Sequence, residues 1–119
     1  MAVVTVSVVV QGFLFSAFYS GEGAAYRDAH GVYGSLIGLI LLVILIPLAF
    51  LAKFPGRMRF GWWTVGLAVV WNIQAHLIGF SIGEARWLEM IHIPLAFGLL
   101  GLGAYLAGKA YVALRGRVV

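Results

Sequence analysis

Four apolar runs separated by short polar breaks account for nearly all of the 119-residue chain, falling at roughly 2–20, 29–52, 61–82 and 89–112. Each comes close to or exceeds the ~20 residues of helix that cross about 30 Å of hydrocarbon. The first opens on the β-branched series Val3-Val4-Thr5-Val6-Ser7-Val8-Val9-Val10, which in water suits a strand. In lipid a lone strand leaves its backbone groups unpaired while a helix pairs them internally, so a helix is expected there as well. Short connections make consecutive helices antiparallel neighbours. The predicted fold is an all-α membrane protein: one domain, residues 1–119, built as an up-down bundle of four transmembrane helices.

The polar residues inside these runs repeat. Gln11 to His30 reads QGFLFSAFYSGEGAAYRDAH and Gln74 to His92 reads QAHLIGFSIGEARWLEMIH. Both pass from a Gln within one run, through a Gly-Glu turn, to a His at the start of the next, over intervals of 19 and 18 residues. One gap aligns Gln11 with Gln74, Leu14 with Leu77, Gly21-Glu22 with Gly83-Glu84, and His30 with His92. The bundle is therefore expected to be two copies of one helical hairpin, related by a pseudo-two-fold axis along the membrane normal.

Composition agrees with this pattern: 63% of residues are hydrophobic and only 10% charged, far from the soluble average. The charges are segregated. Six of the eight basic residues, Lys53, Arg57, Arg59, Lys109, Arg115 and Arg117, lie in the second loop and the C-terminal segment, whereas all four acids, Glu22, Asp28, Glu84 and Glu89, lie in the first and third loops. The positive-inside rule then places both termini in the cytoplasm of a bacterial inner membrane, with both Gly-Glu turns outside. The net charge of +4 reads as topology and contact with anionic lipid, not nucleic-acid binding. With no cysteine there is neither a disulfide framework nor covalent haem attachment. A cleaved signal peptide over the first run is the competing reading; it lacks a charged n-region, and Gln11 belongs to the repeat.

Trp62 and Trp63 at the inner boundary and Trp87 at the outer one match an aromatic belt. The glycines of the last run, Gly98, Gly101, Gly103 and Gly108, suggest close packing against neighbouring helices. Strongly polar groups within a bilayer are costly and point to function or to interhelical contact. Here they are Gln11, His30, Asn72, Gln74, His76 and His92. In an up-down bundle the second and fourth helices are diagonal, so His30 and His92, each expected in the first turn of its helix, face one another across the core. Neutral imidazole is the commonest biological metal ligand, and two imidazoles complete a haem iron with no open position, suited to electron transfer. Gly34 and Ala96, four residues on, lie one turn along the same faces and leave room for a porphyrin edge. The plainer alternatives are histidines hydrogen-bonded to lipid, water or carbonyls, and Gly34 with Gly38 as a small-xxx-small packing pair. His76 has no repeat counterpart. It is open to contact with a haem propionate or a quinone, to iron ligation, or to an interhelical hydrogen bond.

In these features the chain resembles one four-helix half of haem A synthase, whose membrane domain binds haem between histidines at the outer ends of the second and fourth helices of each bundle. The matching elements are Gln11…His30, Gln74…His92, and Glu89-Met90-Ile91-His92, which reads like that family's Glu-x-x-His. The chain differs in Gly31, where the family has Arg, in having Asp28 two residues before His30 rather than a Glu three before it, and in lacking loop cysteines. It is also similar to small four-helix bacterial membrane proteins with the same Gln and His pattern. The resemblance implies haem b held by His30 and His92, with Gln11, Gly34, Gln74, His76 and Ala96 around it. Oxidative activity is not expected from one bundle with both axial positions filled. The functional expectation is a small cytochrome b-like protein that relays electrons or serves as a haem-bearing subunit, with membrane-protein partners or further copies of itself. The alternative is a cofactor-free accessory subunit of a respiratory or photosynthetic complex.

Overall fold

The computed structural model describes residues 2–17, 24–78 and 86–116. The described residues form four helices and no strand. These are α1 (Ala2–Ala17), α2 (Ala24–Leu51), α3 (Arg57–Asn72, prolonged by a π-wound stretch Ile73–Ile78) and α4 (Arg86–Arg115). The β-branched start of α1 is helical, in line with the backbone argument. Both α1 and α3 pack against α2 and α4, closing a four-sided bundle 52 Å long and 22 Å across, with α2 and α4 on one diagonal. Two segments, Ala24–Leu51 and Met90–Arg115, are long and apolar enough to cross a membrane.

The second connection is built by its punctuation. Arg57 N–H donates to the Phe54 carbonyl at 3.2 Å across Pro55 and Gly56, and Gly56 adopts φ 80° and ψ 11°. That is a type II turn, whose third position calls for glycine because the left-handed region penalises a Cβ. Phe54 and Phe60 meet edge to face at 5.3 Å and close the loop. Within α2 the turn Leu41–Leu45 is wound as a π-helix just ahead of Pro47. Proline offers no N–H to the carbonyl four residues before it and crowds that turn, so the helix widens there.

The interior is narrow and mixed. Ile37, Leu41, Leu67, Ala68, Trp71, Leu99 and Leu106 form the apolar core, and Ser7, Thr64, Gln74 and His92 are buried beside them. Large apolar side chains are meanwhile turned outward on every helix, among them Val9, Leu39, Leu51, Val69, Phe97 and Val112. Trp62, Trp63 and Trp87 are exposed, whereas Trp71 is 5% exposed and spends its indole N–H inside the bundle.

Helix boundaries depart from expectation on the His side. Helix α2 begins at Ala24 and α4 at Arg86, so each histidine stands six residues into its helix and not in the first turn. At 1.5 Å per residue that is about 9 Å below the helix start. Asp28, whose residue type and place just before His30 suit an N-cap, is accordingly not one. It lies inside α2, exposed, 3.5 Å from Arg27, and a pair so solvated contributes little. Three of the four α4 glycines also differ from the packing expectation, because a Cβ added at Gly98, Gly101 or Gly108 would meet nothing within 4 Å, whereas Gly103 is buried. The close approaches are instead at Gly34, Gly38 and Gly61. The turns Gly21-Glu22 and Gly83-Glu84, and the side chains of Leu77 and Glu89, lie outside the described residues.

Candidate functional site

Equal offsets from the two helix starts bring His30 and His92 to the same level, and the diagonal placement of α2 and α4 turns them toward one another. Their ring centres are 6.0 Å apart with the planes inclined at 56°. His92 is 8% exposed, and His30 is half-buried.

Helix α1 supplies the support for His30. Its Nδ1 lies 3.1 Å from the backbone oxygen of Gln11. A carbonyl only accepts, so Nδ1 carries the proton and, in the neutral ring, Nε2 keeps its lone pair. This is the usual arrangement of a metal-binding histidine, in which the bond at one nitrogen fixes the tautomer and aims the other. Phe15, one turn from Gln11 on the same face of α1, packs its ring 5.9 Å from the imidazole at 50°. His92 has no such tie among the described residues: its Nδ1 is buried with no hydrogen-bond partner there.

One turn from His30, three helices converge on Gly34. A Cβ there would stand 2.7 Å from Nε2 of Gln11 and 3.8 Å from the Ala75 methyl. The Gly34 carbonyl accepts from Trp71 Nε1 at 2.8 Å, a buried bond that joins α3 to α2. The bare face of Gly34 is thus the seat of the Gln11 carboxamide. A further turn along, the Asn72 carboxamide lies over Gly38, its Oδ1 2.8 Å from where a Cβ would be, while Nδ2 donates to the Ala68 carbonyl. The Oε1 atoms of Gln11 and Gln74 are both buried without a partner.

Of the residues singled out in the sequence, His30, His92, Gln11 and Gly34 come together around one level of the bundle, and Gln74 is buried on α3 beside Ala75. Ala96 lies half-buried on α4, one turn beyond His92. His76 is turned to the outer surface of α3. It follows Gln74 by two residues, a spacing that puts two side chains on opposite sides of a helix, and Gln74 is inside. Sequence reasoning did not name Phe15 or Trp71. Phe15 was within reach of it, being four residues from Gln11; Trp71, mid-run and away from the belt positions, was set apart by its position, but its bond to the Gly34 carbonyl is a tertiary contact.

No protein-family model, curated protein or solved structure matches this chain. The chemistry of the site therefore has to be read from its own residues. Among the described residues no group of three or more His, Asp or Glu side chains is placed to hold a metal ion. Two imidazoles are fewer than the three or four protein ligands of a zinc site, but they are the complement that a porphyrin iron takes. Imidazoles on opposite sides of one metal, each nitrogen about 2 Å from it, have ring centres roughly 6 Å apart. Each ring plane can turn about that axis, so a mutual inclination of 56° is compatible with such a pair.

Proposed function

We propose that this chain is a small membrane cytochrome holding one non-covalent haem b between His30 and His92. The observation that carries the reading is the facing imidazole pair, with the His30 Nδ1–H bound to the Gln11 carbonyl and its other nitrogen left to ligate. The Nδ1 of His92 and the carboxamide oxygens of Gln11 and Gln74, buried without a partner among the described residues, are consistent with it, since buried polar atoms are normally completed by a further group or water. The Gln and His pattern shared with halves of haem A synthase points the same way. Bound there, haem iron with two imidazoles supplies one-electron transfer. The chain's own part is to hold both rings at one depth, fix the His30 tautomer through Gln11, and surround the pair with apolar side chains. It would act as an electron relay or as the haem-bearing subunit of a larger complex in a bacterial inner membrane.

Membrane residence is supported by the inverted distribution of side chains. Polar Ser7, Thr64, Gln74 and His92 are inside, and Leu, Val, Phe and Trp side chains cover the outside. Monomeric soluble proteins rarely leave contiguous apolar surface of this extent uncovered. The basic second loop sets the direction: Gly56→Cys should resist an impermeant thiol reagent applied from outside, while Glu22→Cys and Glu84→Cys should be labelled. Labelling at position 56 alone would reverse the orientation.

A reduced-minus-oxidised absorption spectrum of the purified protein tests the cofactor. A sharp α-band in the cytochrome b region is expected, with haem extractable by acidic organic solvent because no cysteine is present to bind it covalently. A featureless spectrum after expression with ample haem would leave the cofactor-free accessory subunit.

A further inference from the structure

The geometry points to a binding site for an anionic phospholipid at the opposite end of the bundle, with one acyl chain lodged between α2 and α4 and the phosphate on Lys53. A cleft of about 440 Å³ opens there, within the usual size of small-molecule sites. Leu48, Phe54 and Phe60 wall one side of it. The α4 side is Ala110, Ala113 and Leu114; the two alanines are small, and Leu114 is mostly exposed, which leaves the middle unfilled. Lys53 is the one charged side chain in this wall. A polar ligand would leave its hydrogen-bonding groups unpaired against such a lining, whereas a hydrocarbon chain would lose nothing.

The charge around the cleft selects the headgroup. Lys53 is exposed, and its stem can lie along the apolar wall while the ammonium reaches headgroup depth. Arg57 and Arg59 begin α3 beside it, and no acidic residue occurs between Asp28 and Glu84 or after Glu89 to neutralise this end. Lys109 lies over the ring of Tyr105 and Arg115 over that of Tyr111, both rings on the exposed surface of α4. Lys53 is therefore the cation aimed at the cleft. Basic pockets between helices at the cytoplasmic side are the usual seats of anionic headgroups. The inference rests on the proposed membrane placement and is independent of the haem.

Native mass spectrometry of the full chain, released from micelles holding equal amounts of phosphatidylglycerol and phosphatidylethanolamine with identical acyl chains, tests it. The wild type should retain phosphatidylglycerol in preference. Lys53→Gln should lower that retention roughly five-fold, leaving phosphatidylethanolamine unchanged. Ala113→Phe, which fills the cleft, should lower retention of both. Lys109→Gln should change neither. Equal retention of the two lipids by the wild type, or equal effects of Lys53→Gln and Lys109→Gln, would overturn the site. Lys53 is exposed, so its variant reads out binding even where the Ala113 variant fails to fold. Carbonate extraction of membranes and the haem spectrum, recorded on the same preparations, show separately whether the placement or the cofactor reading has failed.

Discussion

If the proposed haem is bound, His30→Ala and His92→Ala are each expected to abolish its low-spin spectrum. Each substitution removes one of two axial bonds and leaves the iron with at most a single protein ligand in an apolar interior. The two variants should differ in their secondary effects. His30→Ala also deletes the hydrogen bond to the Gln11 carbonyl and the packing against Phe15, so it should lower thermal stability more than His92→Ala. His30→Asn separates the roles, since its amide can still donate to Gln11 but ligates iron poorly; it should lose the low-spin signature with less loss of stability. His76→Ala should keep six-coordinate haem, because that side chain faces outward from α3. Gln11→Leu should keep it as well, because the atom that touches His30 is a backbone oxygen. Low-spin haem surviving in both single variants at His30 and His92, or lost only in His76→Ala, would refute the ligand assignment. Optical and electron paramagnetic resonance spectra of the purified variants decide the matter.

Gly61→Ala should destabilise the bundle strongly for so small a change. A Cβ at this position would lie 2.5 to 2.8 Å from three atoms of the Phe50 ring, which is itself set edge-on to Trp62 at 5.8 Å. A rigid ring held between two helices cannot give way as a flexible side chain would, and forcing extra volume into a packed contact costs about 1–3 kcal/mol. Replacing glycine within a helix gains back up to about 1 kcal/mol. Gly66 provides the control on the same helix, since a Cβ there would meet nothing within 4 Å; Gly66→Ala should be neutral or stabilising. In the Gly61→Ala background, Phe50→Ala should cost less than it does alone, the non-additivity expected of residues in direct contact. Thermal unfolding of the wild type and the four variants in detergent measures this. Equal melting temperatures for Gly61→Ala and Gly66→Ala would show that α2 and α3 do not meet through this ring.

Much of the architecture was legible because it follows from backbone chemistry and counting. Four apolar runs with short breaks lead to four antiparallel helices, and Pro55-Gly56 to a turn, since a type II turn needs those residue types in that order. The helix starts were less legible. Asp28 before His30 looks like a cap, yet Ala24 to Arg27 already wind as helix, and a capping residue type inside a helix is distinguishable from a true cap only by its backbone conformation.

For the site, the sequence by itself determined which polar residues exist and, through the fourfold spacing, which of them share a helix face: Gln11 with Phe15, His30 with Gly34, His92 with Ala96. The two-residue spacing of Gln74 and His76 puts them on opposite sides of one helix, against the expectation that both surround the haem. Only the tertiary structure decided which of those two is inside, and that His30 and His92 approach to 6.0 Å. The same holds for Gly34, where the open face is filled by a glutamine from α1 and the carbonyl is held by a tryptophan from α3. The physical reason is the same in each case: periodicity along a helix sets relative angles within that helix, but the rotation of one helix against another follows from contacts among all four.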